Sequence, residues 1–587
     1  MKKTLSIIAL LAIAAPGCNR LDIVPDDGAS VSADGMVTEI IIATEGEDRT
    51  KASIREDNGG FTWDAGDKVA MHASNGEYYV TDELGSGGTA TSTFSVRYPE
   101  GSVRDAFAIF PSSIVSATEV NYGQGSQSLD VMLPDSCSLS QISGSKTPCP
   151  MIATNEPGSG WVFKQLCGLL RLTVNAIPEK TSYLKMDFHQ YVAGMFSIPS
   201  PVEPGTSAIA VQNASGNNAT VITVTDFPDT SDATYTLNIP LPIGTYDIID
   251  ITAYDSNDKA LLSSTRRIRS EYDPSYTASR AHGKKLTATL VSFSVSDTMK
   301  VIIAPGNLVA KVDNTNSQSA GRGYVYSASK WYFADHQYDF NEDDELDGTH
   351  TICDHFGWIG AGVSGLSVGN SYGLFFSEYN EDYMSWGYDY LANDWGKNVI
   401  HFSSASESSY PSDTWRTLGD KDGQEWIYLL EKRNTTSGRF AKATIAGKAG
   451  VIIFPDNYSH PSGVKVPQQI NDLYADFSSN GSNEYDVVAW EAMEAAGCVF
   501  LPAAGYRLYN TIIESGSTEC YWTNRAAISD PCALAFSFET FVTNEIQRCH
   551  GCSVRLVRNT PIALVVEVTT EGTILVASVD QYESIPW

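Results

Sequence analysis

Cys18 has the surroundings that most directly define a chemistry in this chain of 587 residues. It closes the run Ala15-Pro16-Gly17-Cys18, behind the basic start Met1-Lys2-Lys3 and an apolar stretch over residues 5–15. A charged start followed by an apolar run too short to span a bilayer is an export signal. Small residues ahead of a cysteine match the lipobox, whose thiol is acylated before the signal is cut. Cys18 is therefore expected to be the first residue of a lipid-anchored mature chain, held to the membrane by buried methylenes. Ala15 stands where leucine is usual, and the alternative is an ordinary signal peptide with an incidental cysteine.

A second chemistry is offered by Asp339, Asn341, Asp343 and Asp347, within Asp339-Phe340-Asn341-Glu342-Asp343-Asp344-Glu345-Leu346-Asp347-Gly348. Oxygen-bearing side chains at alternate positions suit calcium, a hard cation that takes about six to eight oxygens from a wrapped segment. Asp344 replaces the glycine of the EF-hand loop and no flanking helices are evident, so a solvated acidic loop competes with calcium. Calcium is the one cofactor that the sequence raises. Asp394-Trp395-Gly396, with the tyrosine-rich residues 379–390, can supply stacking faces and polar groups for a sugar, although aromatics in such number also build cores.

Two further patterns are set aside. Gly365-Leu366-Ser367-Val368-Gly369 has nucleophile-elbow spacing but lacks the preceding strand and following helix that the elbow needs, so Ser367 is not read as a nucleophile. Cys549-His550-Gly551-Cys552 has the spacing of a redox motif or half a zinc site. No second ligand pair and no βα context accompany it, which favours structural disulfides. No residue is assigned a catalytic role.

The elements that would position these residues read as strands. Lys plus Arg number 39 against 70 Asp plus Glu, a net charge of -31 that repels phosphate backbones, so no nucleic-acid partner is expected. Charged residues at 19% and aromatics at 11%, with 47 glycines, describe a folded, β-rich exported chain and not a disordered one. Residues 19–36 are small and polar and read as a tether. Strand-like runs at 37–43, 61–63, 68–71 and 77–80, separated by turn residues, mark a first β-sandwich over 37–160. A second set runs from 161–176 through 183–188 to 234–268 and marks another over 161–291.

Beyond residue 292 the composition changes, with nine of the eleven tryptophans there. Residues 422–430 open with a D-x-x-E cap and read as a helix. So do residues 484–496, with Val488, Ala492 and Ala495 at helical spacing and Gly497 as the stop. Short strands are expected at 499–501, 520–522, 533–536 and 553–557, so 292–558 reads as an α+β domain. Residues 559–587 hold two apolar runs around Glu571-Gly572 and read as a β-hairpin tail. Nine cysteines remain after Cys18, six of them from Cys353 to Cys552. In an oxidising compartment these suggest structural disulfides, with the pairing left open. No segment after the signal reads as long and apolar enough to cross a membrane.

The first half resembles the fimbrillin family, the Mfa-like subunits of type V pili. The resemblance rests on the order Cys18, strand 37–43, Arg49 and the motif Phe61-Thr62-Trp63-Asp64-Ala65-Gly66-Asp67-Lys68-Val69, with the stretch around 238–258 as late strands. It implies two transthyretin-like β-sandwich pilin domains in a mainly β chain. It also implies an outer-membrane lipoprotein precursor, cleaved by a trypsin-like protease after Arg49, with Arg55 the lesser candidate. Loss of the first strand then opens a groove that a strand from another pilin subunit fills.

The second half resembles C-type-lectin-like domains related in fold to formylglycine-generating enzyme. The marks are Asp354-His355-Phe356-Gly357-Trp358, Asp394-Trp395-Gly396, Trp415-Arg416-Thr417-Leu418 with Glu425-Trp426, residues 500–507, Tyr521-Trp522 and residues 553–558. The sequence thus leads to a tip adhesin of a fimbria that binds a glycan or host protein through Asp394 and Trp395. Its rivals are an oxidase of the formylglycine-generating type or other surface enzyme, and a lipid-anchored glycan-binding protein that never polymerises. Mass spectrometry of the membrane-extracted precursor is expected to find acyl chains on Cys18, and an unmodified thiol there would refute the anchor.

Overall fold

The computed structural model describes residues 30–31, 36–45 and most of 63–560; residues 199–209, 342–351, 357–414 and 561–587 are the longest stretches outside that description after residue 63. Strands dominate its elements. Trp63 sits at the centre of the first core. It is fully buried and meets Phe94, Phe110 and Phe163 edge to face, at ring-centroid distances of 5.0, 5.1 and 5.2 Å. Ring edges carry positive and faces negative charge, which favours this arrangement over face-to-face stacking.

The residues that follow form a tight turn. The Asp67 carboxylate accepts the Asp64 N–H at 2.7 Å, Gly66 donates to the Leu84 carbonyl at 2.8 Å, and Val69 returns to the core. Gly66 has φ +93°, a left-handed conformation that costs glycine little. The Trp-x-x-Gly-Asp-x-Val motif is thus a folding element: an aromatic hub followed by the turn that brings the next strand under it.

The first sheet has eight strands. From one end its order is Ser30–Val31, Met36–Glu45, Gly160–Gln165, Met151–Glu156, Arg104–Phe110, Ala70–Ala73 and Tyr78–Val80, with Thr91–Pro99 also paired to Met36–Glu45. Gly160–Gln165, read from the sequence as the start of the second unit, pairs with Met151–Glu156 in this first sheet, and Trp161 and Phe163 belong to the first core. The single apolar run 161–176 is therefore two strands in two different sheets. Gly168–Ile177 pairs antiparallel with Ala233–Leu241 and parallel with Gly283–Thr289, and its Leu170, Leu172 and Val174 enter the second core.

The two β layers interleave. Ser136–Ser138 joins the second unit through Val221–Thr225, and Leu139 and Ile142 pack in the second core. In return, Gly194–Ile198 pairs with Ser126–Leu133 and places Phe196 and Ile198 in the first core. Leu290 belongs to the second core, whereas Val291 belongs to a third, built around the fully buried Trp426.

The ends of the C-terminal region meet in one sheet, where Lys300–Ile303 pairs with Leu556–Thr560, itself paired to Arg416–Thr417. The expected strand at 553–557 is displaced to Leu556–Thr560; Ser553 instead makes an isolated bridge to Tyr521. A short α-helix over Gln424–Ile427 widens into a π-helical turn over Tyr428–Lys432. The second expected helix spans Val487–Ala495. Asp486 is its cap, its carboxylate accepting the Ala489 N–H, while Glu484–Tyr485 is strand. Its buried face carries Trp490 and Met493, and Val488 is 75% exposed. The sequence-based face is therefore corrected: Trp490 has more apolar surface to bury and meets Phe500 edge to face at 5.8 Å. Gly497 ends the helix as expected, with φ +93°, where an added Cβ would meet Val291 at 2.5 Å.

Trp63→Ala is expected to destabilise the first core by about 3–5 kcal/mol, since it removes the shared partner of three rings and leaves a cavity. Chemical denaturation followed by tryptophan fluorescence measures it, and a loss below about 1 kcal/mol would contradict the central role of this ring.

Candidate functional site

The leading strand Met36–Glu45 is held on both edges. Nine positions pair antiparallel with Thr91–Pro99, from Met36 opposite Pro99 to Thr44 opposite Thr91. On the other edge Val37 and Thr38 pair with Ser30–Val31, and Ala43, Thr44 and Glu45 run parallel to Trp161, Val162 and Phe163. Along Thr91–Pro99 the side chains alternate, with Phe94, Val96 and Tyr98 buried in the first core beside Val37. The groove this strand fills thus has a continuous backbone wall along Thr91–Pro99, a short one at Trp161–Phe163, and the apolar side chains of the first core on one face. The period-two spacing of Phe94, Val96 and Tyr98 is the sequence signal for Thr91–Pro99, a strand absent from the runs expected over 37–160.

The signature residues of the C-terminal region serve its framework. Arg416 donates to both oxygens of Glu425, at 2.6 and 2.8 Å, and Glu425 also accepts the Gly419 N–H at 2.8 Å. Such paired, charge-assisted bonds fix a planar geometry. The buried His355 ring lies 2.8 Å from Asp354 Oδ1 and 3.0 Å from the Ala504 carbonyl. Arg555, wholly buried, donates to Asn307 Oδ1 at 2.9 Å and to the carbonyls of Ala304 at 2.9 Å and Phe500 at 2.6 Å. Burial pulls its guanidinium down to about 10, against the opposing influence of Tyr521.

A polar junction joins the strands of the second core to this region. Arg558 donates to Asp250 Oδ2 at 2.9 Å, the same oxygen lies 3.0 Å from His189 Nε2, and Thr265 donates to Oδ1. Nearby, Arg266 donates to the Glu494 carbonyl at 2.7 Å, Thr289 to the Ala495 carbonyl at 2.7 Å, and Arg267 to the Phe333 carbonyl. Burial raises the Asp250 carboxyl. Arg558, His189 and Thr265 outweigh that effect and hold it well below the usual carboxylate range.

Of the sequence-based site residues, Cys18, Arg49, Asp343, Asp347, Asp394 and Trp395 lie outside the described residues, as does Ser367. Asp339 and Asn341 are described. The Asp339 carboxylate accepts the His336 N–H at 2.9 Å and lies 2.8 Å from His336 Nδ1, while the Asn341 N–H donates to Asp354 Oδ2 at 2.6 Å. Among the described residues no group of three or more His, Cys, Asp or Glu is placed to hold a metal ion. Among them, too, no helix is long and apolar enough to cross a membrane.

No family model and no curated protein matches the chain. Among solved structures, a candidate cell-adhesion protein from Bacteroides ovatus is similar at 12% identity, over 39% of this chain and 83% of that one, with a TM-score of 0.24. The tip fimbrial protein Mfa3 from Porphyromonas gingivalis, truncated at its C-terminus, is similar at 14% identity, over 40% and 83%, with a TM-score of 0.20. A fimbrial assembly protein from Parabacteroides distasonis is similar at 12% identity, over 40% and 100%, with a TM-score of 0.13. These likenesses are low. The mainly β architecture stands on the strand order and cores described above.

Because the folded Asp250 carboxyl sits below its ordinary value, its contribution to stability is complete above about pH 4 and is lost as pH falls from there. Asp250→Asn is expected to weaken the junction by about 3 kcal/mol at neutral pH and to flatten the acid dependence. Thermal unfolding of the full chain between pH 3 and pH 7 checks both; an unchanged acid profile in the variant would remove Asp250 as its cause.

Proposed function

We propose that the chain is a cell-surface fimbrial subunit. In this reading it is exported as a lipoprotein anchored through Cys18 to the outer membrane and cut after Arg49. A strand from a neighbouring subunit then replaces the leading strand. The observation that carries the reading is the position of Met36–Glu45, paired on both edges and followed four residues after Glu45 by Arg49. Loss of that strand frees nine ladder positions on Thr91–Pro99 and uncovers the floor of Phe94, Val96 and Tyr98. Buried backbone groups and apolar side chains cannot stay open to water without cost, so an incoming strand restores both the hydrogen bonds and the cover.

The C-terminal region is read as a lectin-like module that presents a surface for a glycan or host protein, with Asp394 and Trp395 as its candidate ligand residues. Neither turnover nor a catalytic residue forms part of this reading. The closing strand Leu556–Thr560, built into a sheet with Lys300–Ile303, supports a tip position, with the hairpin tail that follows read as covered by its own domain and its donation to a neighbour's groove as the alternative.

An Arg49→Ala precursor is expected to remain monomeric under conditions where the wild type, beginning at Thr50, assembles, with immunogold label on wild-type filaments confined to their ends. Electron microscopy and N-terminal sequencing provide the readout. Unchanged assembly of the variant would sink the strand-exchange mechanism, and label along the shaft would sink the tip assignment.

A further inference from the structure

The thiols of Cys520 and Cys552 lie 2.8 Å apart, both buried, at 2% and 0% exposure. Cys520 begins the strand Cys520–Ala526, and Cys552 stands just before the closing strand Leu556–Thr560. Backbone bonds hold the two segments in register. Ser553 donates to the Cys520 carbonyl at 3.0 Å, Trp522 donates to the Ser553 carbonyl at 3.1 Å, and Tyr521 and Ser553 form a parallel bridge. The far side of Cys552 is fixed as well, by bonds of 2.9 and 3.0 Å exchanged with Phe356. Two sulfurs held this close on fixed backbones are nearer than non-bonded sulfurs settle. A disulfide, with its S–S bond of about 2.05 Å, needs only a small side-chain rotation from here.

We infer that Cys520 and Cys552 form a disulfide that clasps the closing strand of the C-terminal region to its interior. The inference goes beyond the fimbrial reading and does not depend on it. It also departs from the C-x-x-C spacing, which would pair Cys552 with Cys549: the fold directs Cys552 across to a different strand. Cys353 is otherwise engaged, its thiol contacting the His355 carbonyl at 3.4 Å. In the oxidation each thiol loses its hydrogen and the sulfurs join. The two hydrogens leave as two protons and two electrons that pass to a disulfide-bearing oxidant, whose S–S bond breaks and which departs as the dithiol. Thiolate is the attacking species, and burial pushes the Cys552 thiol well up, so the bond forms while the segments are still accessible during folding.

The consequence is mechanical as well as thermodynamic. The bond spans 32 positions of chain and restricts the unfolded state accordingly. It lies three residues before Arg555 and six before Arg558, the residue that reaches Asp250 across the junction. Tension applied at the C-terminal end would first load the closing strand Leu556–Thr560 and would then meet a covalent clasp at Cys552.

The test uses the full mature chain exported through an oxidising compartment, denatured without reductant in N-ethylmaleimide and digested with trypsin. Peptide 508–525, which carries Cys520, is expected to be linked to peptide 549–555, which carries Cys549 and Cys552. The link should persist in Cys549→Ser and disappear in Cys552→Ser. Maleimide on both Cys520 and Cys552, a link that survives Cys552→Ser, or a link from Cys520 to the Cys532 peptide would each overturn the pairing. As a second measure, reductant should lower the melting temperature of the C-terminal transition by about 5–10 °C in the wild type. The Cys520→Ala/Cys552→Ala double variant should melt at the lowered temperature with or without reductant; a wild type indifferent to reductant would also overturn the clasp.

Discussion

A strand inside a sheet has both rows of its backbone groups satisfied, and taking it away leaves two unsatisfied rows facing each other across an apolar floor. That constraint governs the first sheet. Met36–Glu45 links Thr91–Pro99 to Gly160–Gln165, and without it these two strands have no shared neighbour. The core beneath is organised by Trp63, whose ring touches aromatics from three different strands, Phe94, Phe110 and Phe163. Backbone pairing and core packing therefore converge on the same place, and the groove keeps a shaped, apolar floor because strands other than Met36–Glu45 build it.

The second organising feature is the exchange of short segments between the two β layers. Ser136–Ser138 leaves the first unit to extend a sheet of the second, and Gly194–Ile198 returns to pack in the first core. Each excursion ties one core to the other through buried side chains, Leu139 and Ile142 in one direction and Phe196 and Ile198 in the other. Two layers connected in this way do not separate without breaking backbone ladders.

Charge does the corresponding work at the C-terminal junction. Asp250 is almost wholly buried and is met by Arg558 from the closing strand and by His189 and Thr265 from its own unit. Removing one member of such a set leaves an uncompensated charge, so its members demand one relative placement of the elements that carry them. Arg266, Arg267 and Thr289 repeat the pattern against backbone carbonyls of the C-terminal region. The junction is directional in a way that an apolar contact is not. Arg416 with Glu425, and Arg555 with its three oxygen acceptors, extend the same logic inside the region.

How much of this was legible in the residues alone depends on the range of the interaction. The strand at 37–43, the turn after Trp63 and the stop at Gly497 were readable, because β-branched runs, a Gly-Asp turn and a left-handed glycine are local properties of the chain. The low charge density and many short apolar runs likewise pointed to a mainly β chain before any contact was known. Alternation within one run could not show that residues 161–176 divide between two sheets, since pairing partners lie far away in sequence. The helical period could not choose between Val488 and Trp490, because the choice is made by Phe500 on a neighbouring strand. The groove of the candidate site was foreseen by its filling strand and not by its wall, Thr91–Pro99. The Asp250–Arg558 contact, across 308 positions of chain, had no sequence signal at all. By itself the sequence determined which segments extend, turn and cap. The tertiary structure alone decided which edges meet and which charges are buried together, because hydrogen-bond ladders and ion pairs act between residues that only folding brings within reach.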